Sequence, residues 1–248
     1  MTVATSMIPG LEEIVKGGDP KRRAEAARRI SEMYLEDAPN LRSHHVDLFD
    51  GILVDLVPHT DITARAELAE RLSRLINAPR ALVGQLAHED ELSIAGPLLR
   101  RSRVIDEQAL IGIARLRGQG HLLAMSERST LSPGLTDVIV QRGDRDVVRR
   151  AAGNAGAQFS QTGYSELIKR SSKDGVLTLK VGQRDDLSDL QLKDLLAGSI
   201  DVVRRRLFEV VKPGRQVAIK QVMSEISGVP EKVESRRDFV PEIGRAHV

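Results

Sequence analysis

Four stretches of this chain align without gaps: IDEQALIGIA from Ile105, LSPGLTDVIV from Leu131, FSQTGYSELI from Phe159 and LSDLQLKDLL from Leu187. Their starts lie 26, 28 and 28 residues apart. Each opens on an apolar residue, follows it with Asp or Ser in capping position, and returns to apolar residues at the eighth or ninth place. That is the pattern of a short helix with a side-chain N-cap. Partner helices are expected between them, opening at Asp90, near Gln119, at Asp144 and at Asp174. Two helices of about three turns each cannot hide their own apolar stripes, so the repeat predicts pairs stacked on one another. The fold class that follows is all-α: an α-solenoid of stacked short helix pairs, HEAT-like repeats with a period of about 28 residues, clearest over residues 76–197.

Upstream, Asp19-Pro20 is a cap followed by proline at the first helical position, predicting a helix from Asp19 to Glu36. Pro39-Asn40 breaks it. A second helix carries Val46, Phe49, Ile52, Leu53 and Leu56 and ends at Pro58; a third, capped by Thr60 or Asp61, runs through Leu72 to Leu75 and Ile76. Downstream of Leu196 the period blurs, but Ile200 to Val211 and Gln216 to Ile226 read as two further helices separated by Lys212-Pro213-Gly214. The expected organisation is an N-terminal segment over 1–18, a single solenoid over 19–241 and a tail over 242–248. Written as codons, that tail, EIGRAHV, can read as the start of a common short-read sequencing adapter. It is therefore expected to be non-native, with the natural protein continuing beyond Pro241.

Composition agrees with stacked helices and narrows the chemistry. Aromatic residues make up 2% and tryptophan is absent, which suits small interhelical contacts better than a sandwich or barrel. With no cysteine there are no disulfides, thiolate metal sites or thiol nucleophiles. The 37 basic and 35 acidic side chains nearly cancel, so no long-range field is implied. No basic leader and no apolar run long enough to span a bilayer is found, so the expected location is cytoplasmic, without membrane contact.

Three stretches are family-specific rather than generic to helical repeats: LAHEDELSIAGPLLRRSRVIDEQALIGIA (Leu86 to Ala114), GHLLAMSERSTLS (Gly120 to Ser132) and GDRDVVRRAAGNAGAQFS (Gly143 to Ser160). Asp174 to Leu187, ending QRDDL, continues them. Over Lys21 to Leu196 the chain resembles the mainly alphaproteobacterial domain of unknown function 2336. The resemblance implies a HEAT-like helical repeat in a cytoplasmic bacterial protein. It carries over no activity and no catalytic residue.

The stretch QRGDRDVVRRAAGN, residues 141–154, concentrates four arginines. Asp144 is the expected N-cap and Val147, Val148, Ala151, Ala152 and Ala155 the buried stripe, so Arg142-Gly143-Asp144 is a turn and cap rather than an adhesion signal. Asn154 is expected to end this helix in the left-handed C-cap conformation. Adjacent His44 and His45 point about 100° apart and cannot chelate one ion together. His88-Glu89 is a single dipeptide where di-iron sites need several, and His121 is expected to bond a neighbouring turn. No catalytic triad, phosphate loop or zinc spacing occurs, and neither cofactor nor metal is called for.

The expected function is therefore that of a non-enzymatic scaffold or adaptor that binds another protein. Exposed positions on the second helix of each pair would do the gripping: Glu107, Gln108, Asp137, Gln141, Glu166, Lys169, Asp189 and Lys193. One alternative is a nucleic-acid or phosphate binder using Arg100, Arg101, Arg145, Arg149 and Arg150. Interleaved acids and the lack of a stacking aromatic in the arginine run weigh against it. Another is a HEAT-like lyase-type enzyme, whose groove need carry no motif.

Overall fold

The four aligned stretches become four helices in identical register. In the computed structural model, which describes residues 19–227, each of these helices begins two residues after the segment start: Glu107–Leu116 (α6), Pro133–Arg142 (α8), Gln161–Ser171 (α10) and Asp189–Ala197 (α12). The capping residues are Asp106, Ser132, Ser160 and Ser188, and each side chain accepts the backbone N–H three residues on. This satisfies one of the amide donors a helix start leaves open. At Ser188 the bond is reciprocated by Gln191, closing a capping box.

Ten further α-helices complete the described residues. They are Pro20–Asp37 (α1), Ser43–Leu56 (α2), Ile62–Leu72 (α3), Arg80–Ala87 (α4), Leu92–Arg101 (α5), Gln119–Ser126 (α7), Arg145–Ala152 (α9), Gly175–Gly182 (α11), Asp201–Val210 (α13) and Pro213–Ser227 (α14). Successive helices pack as neighbouring pairs, and each also packs on the helix two places along: α3 on α5, α5 on α7, and so on to α13, with α6, α8, α10, α12 and α14 forming the other row. Aside from one isolated bridge between Leu131 and Ala157, no strand pairing occurs among the described residues. The fold is thus all-helical. The expectations for residues 1–18 and 228–248, the adapter-like tail included, lie outside the described residues.

Apolar packing between the rows buries Val147, Val148, Ala151 and Ala152 of the predicted stripe, but Ala155 is exposed because the helix ends at Ala152. Ile94, Leu98, Leu99, Ile113 and Leu122 are wholly buried, each stabilising the stack by about 1.5–3 kcal/mol relative to exposure. The buried residues form two clusters that meet at the α8–α9 pair. Ile139, Val147 and Ala151 face the N-terminal cluster, whereas Val140, Val148 and Ala152, their chain neighbours, face the C-terminal one. Phe159 packs against both.

Several boundaries differ from expectation. The third helix stops at Leu72 and does not reach Ile76, which is 76% exposed. The following turn is drawn back to the first helix pair by Asn77: its amide donates to the Ala38 carbonyl and its own carbonyl accepts from the Tyr34 hydroxyl at 2.8 Å. Glu91 rather than Asp90 caps α5, and Asp90 pairs with Arg117. Asp19 precedes α1 without making a side-chain cap bond.

Candidate partner-binding face

The carbonyls that a helix leaves open at its C-terminus are held here by side chains from the next helix in the same row. After α7, Arg128 donates to the carbonyls of Leu99 (2.8 Å) and Ser102 (2.7 Å) at the end of α5. After α9, the amide of Asn154 donates to those of Ser126 (2.9 Å) and Arg128 (2.7 Å) at the end of α7. After α11, Arg184 donates to those of Ala152, Asn154 and Ala157 around the end of α9. Asn154, expected to end α9, lies one residue past the C-cap, and its side chain bridges to the neighbouring helix end. Gly153 ends α9 in the right-handed region, and Asn154 is committed to the neighbouring repeat, its Oδ1 accepting the Gly156 N–H.

The second row repeats the device. Arg142 donates to the carbonyls of Ala114 and Arg117 at the end of α6, and Arg170 to those of Gln141 and Gly143 at the end of α8. Cations beside helix C-termini are also favoured by the helix dipole. At the opposite ends of the same helices, capping serines reach back: Ser132 to Glu107 and Ser160 to Asp137, at 2.5 and 2.7 Å. Arg142 and Arg170 stand at the twelfth place of two aligned repeats. A longer alignment would have exposed that column, whereas nothing local marks Arg128 or Arg184.

Arg184 is the most heavily engaged of these groups. Only 8% of its side chain is exposed; it also bonds the Tyr164 hydroxyl and Asp186, and its guanidinium lies 4.7 Å from the Phe159 ring centre. Burial pushes the Tyr164 hydroxyl up to about 12, with its bond to Asp186 adding to the effect. Burial alone would also raise the Asp186 carboxyl, but hydrogen bonds from Arg184 and Tyr164 outweigh it and hold that group below the ordinary carboxylate range.

The five arginines considered for anion binding are each within reach of a carboxylate. Arg100 pairs with Glu127 at 2.5 Å, Arg101 with Glu70 at 2.7 Å, and Arg149 forks onto Asp174, the cap of α11. Arg150 lies 3.5 Å from Glu127 and Arg145 3.8 Å from Asp174. Of the eight residues considered for partner contact, Glu107 and Asp137 accept from the capping serines, Glu166 bonds Arg170, and Lys193 bonds Glu225. Gln108, Gln141, Lys169 and Asp189 are exposed, with Gln141 and Lys169 at equivalent places on successive helices.

Five described histidines have neighbours, His59 lying by Arg23. His121 is buried and bonds the Glu89 carbonyl, His88 bonds the Gly84 carbonyl of its own helix, and the His44 and His45 rings lie against each other. Among the described residues no set of three His, Asp or Glu side chains is placed to hold a metal. No described helix is long and apolar enough to cross a membrane. A cleft of 430 Å³ runs between α1 and α3, where Arg28 bonds Asp61, the α3 cap. Another of 420 Å³ lies by the C-terminal ends of α9 and α11, where Arg184 is the clamp already described and Asp185 pairs with Lys212.

A family model described as an uncharacterised protein conserved in bacteria, DUF2336, matches residues 94–241. No curated protein matches the chain. No solved structure does either.

Proposed function

The chain belongs to the DUF2336 family of uncharacterised bacterial proteins, and from its architecture we propose that it is a HEAT-like α-solenoid acting in the cytoplasm as a non-enzymatic scaffold for a partner protein. The observation that carries this reading is the use of its charges. The arginines and carboxylates that could have converged on a reacting group are instead distributed, repeat by repeat, as clamps between helices. What such a stack offers a ligand is a long surface on which equivalent exposed positions recur, the usual binding mode of solenoids. Gln108, Gln141, Lys169 and Asp189 are the exposed set along the second row.

The test compares two baits in native lysate: the wild-type chain and a variant carrying Gln141→Glu, Lys169→Glu and Asp189→Lys. All three substitutions are on exposed helix positions, so helicity should be kept; Lys169→Glu gives up the 3.6 Å pair with Glu166 and Asp189→Lys puts a cation at a helix start, so a small fall in melting temperature is expected and the baits are compared well below it. The expected result is a specific protein retained by the wild type and lost by the variant. Equal recovery by both baits, or no specific protein with either, overturns the proposal.

A further inference from the structure

The C-terminal ends of α3 and α5 border a cleft of 300 Å³ lined by Ser73, Arg74, Leu75, Ile76, Arg101 and Arg103. Three arginines line it, two of them held on one carboxylate. Glu70 binds Arg74 at 2.6 Å and Arg101 at 2.7 Å through the same oxygen, Oε1. Those two hydrogen bonds hold its carboxyl below the ordinary range, so it stays ionised at neutral pH. Arg103 is exposed and bonds no group among the described residues. Next along this edge Arg100 and Arg150 share Glu127 and Arg128 bonds two carbonyls, so each of those arginines has an acceptor among the described residues, as Arg103 does not. The two helix ends each subtract about half a charge. The cleft therefore keeps a positive surplus of about one charge, in a geometry of planar forks suited to oxyanions.

We propose that this cleft recognises a phosphate-type dianion carried on the partner protein, with Arg103 as the principal free donor and Arg74 and Arg101 as its flanking partners. The carrier rests on the scaffold reading; the anion site does not. The volume is at the low end of small-molecule sites, which run from roughly 300 to 1,000 Å³, so it fits one charged group rather than a nucleotide. No aromatic residue lines it to stack a base. Leu75 and the 76%-exposed Ile76 at its rim supply apolar contact for residues flanking a modified side chain in a peptide.

Calorimetric titration with inorganic phosphate, at constant ionic strength set by chloride, separates the possibilities. Arg103→Ala should weaken binding roughly tenfold or more, the value of a charge-assisted bond. Glu70→Gln, which keeps the shape and removes the opposing charge, should strengthen it. These opposite signs distinguish the site from a general loss of fold, and melting curves of both variants check that directly. Wild type and variants binding phosphate equally, or not at all, overturns the proposal. In a second arm, a short peptide with phosphoserine beside leucine should bind more tightly than its unphosphorylated form and than a single-stranded oligonucleotide. Tighter binding of the oligonucleotide overturns the peptide carrier. If phosphate and phosphopeptide bind as expected while lysate yields no specific partner, the anion site stands and the scaffold reading falls.

Discussion

Arg184 sits where the two apolar clusters meet, so replacing it tests whether the clamps join the repeats into one cooperative unit. In Arg184→Met much of the aliphatic stem is kept, and the guanidinium is lost together with its contact to the Phe159 ring. Three inter-repeat bonds go with it, to the carbonyls of Ala152, Asn154 and Ala157 at 3.3, 3.0 and 2.6 Å, together with the bonds to Tyr164 and Asp186. A bond to a charged group contributes about 1.5–3 kcal/mol net, and the ring contact about 0.5–1. The total falls well short of their sum. The cost of burying the guanidinium disappears with it, the 48%-exposed Asp186 can be hydrated, and bonds from one side chain are not additive. A loss of about 3 kcal/mol is expected, a large part of the roughly 5–15 kcal/mol that stabilises a domain. Arg184→Lys keeps the charge without the fork and should lose about half as much.

Urea unfolding followed by circular dichroism measures the loss, and hydrogen exchange locates it. Because stacked repeats are coupled mainly to their neighbours, protection should fall first in α10 to α14, while α3 to α7 hold. The carboxyl of Asp186 is depressed in the folded state, so its contribution is present above the unfolded aspartate value near about 4 and is lost as pH falls through the folded value. The advantage of wild type over Arg184→Met should accordingly narrow below about pH 4. A loss under about 1 kcal/mol, or protection falling evenly along the chain, would refute the view that this clamp joins the two halves.

Ser160→Ala removes the cap of α10 and the bond to Asp137 together, and should cost about 1–2 kcal/mol by urea unfolding. Ser165→Ala, on the exposed side of the same helix, should cost under about 0.5. Gly156→Ala places a Cβ onto the Ser129 carbonyl, backbone against backbone, where the 153–160 loop crosses the 127–132 loop. It should lower the melting temperature clearly, whereas Gly84→Ala, in open space within α4, should raise stability by about 0.5–1 kcal/mol.

How far the structure was legible depended on whether both halves of an interaction carry a residue type. Caps do: a serine or aspartate three residues before an accepted amide is a local pattern, and it located α6, α8, α10 and α12 to the residue. The clamps do not, because their acceptors are carbonyls that every residue possesses and their donors lie about a repeat away. Asn154 shows this directly: the local rule spoke only to its backbone, and nothing near it in sequence marked its side chain as bonding a neighbouring helix end. The same ambiguity governs the proposed contact face. A charge that recurs every 28 residues is in position both to meet a partner along the surface and to meet its own counterpart on the next helix. Glu107 and Asp137 bond the capping serines of the next helix in the row, whereas Gln141 and Lys169 stay exposed, Lys169 beside Glu166 of its own helix. Spacing alone cannot separate these outcomes. What separates them is whether a serine, an arginine or an open helix end stands opposite, and that becomes visible only when the repeats are stacked.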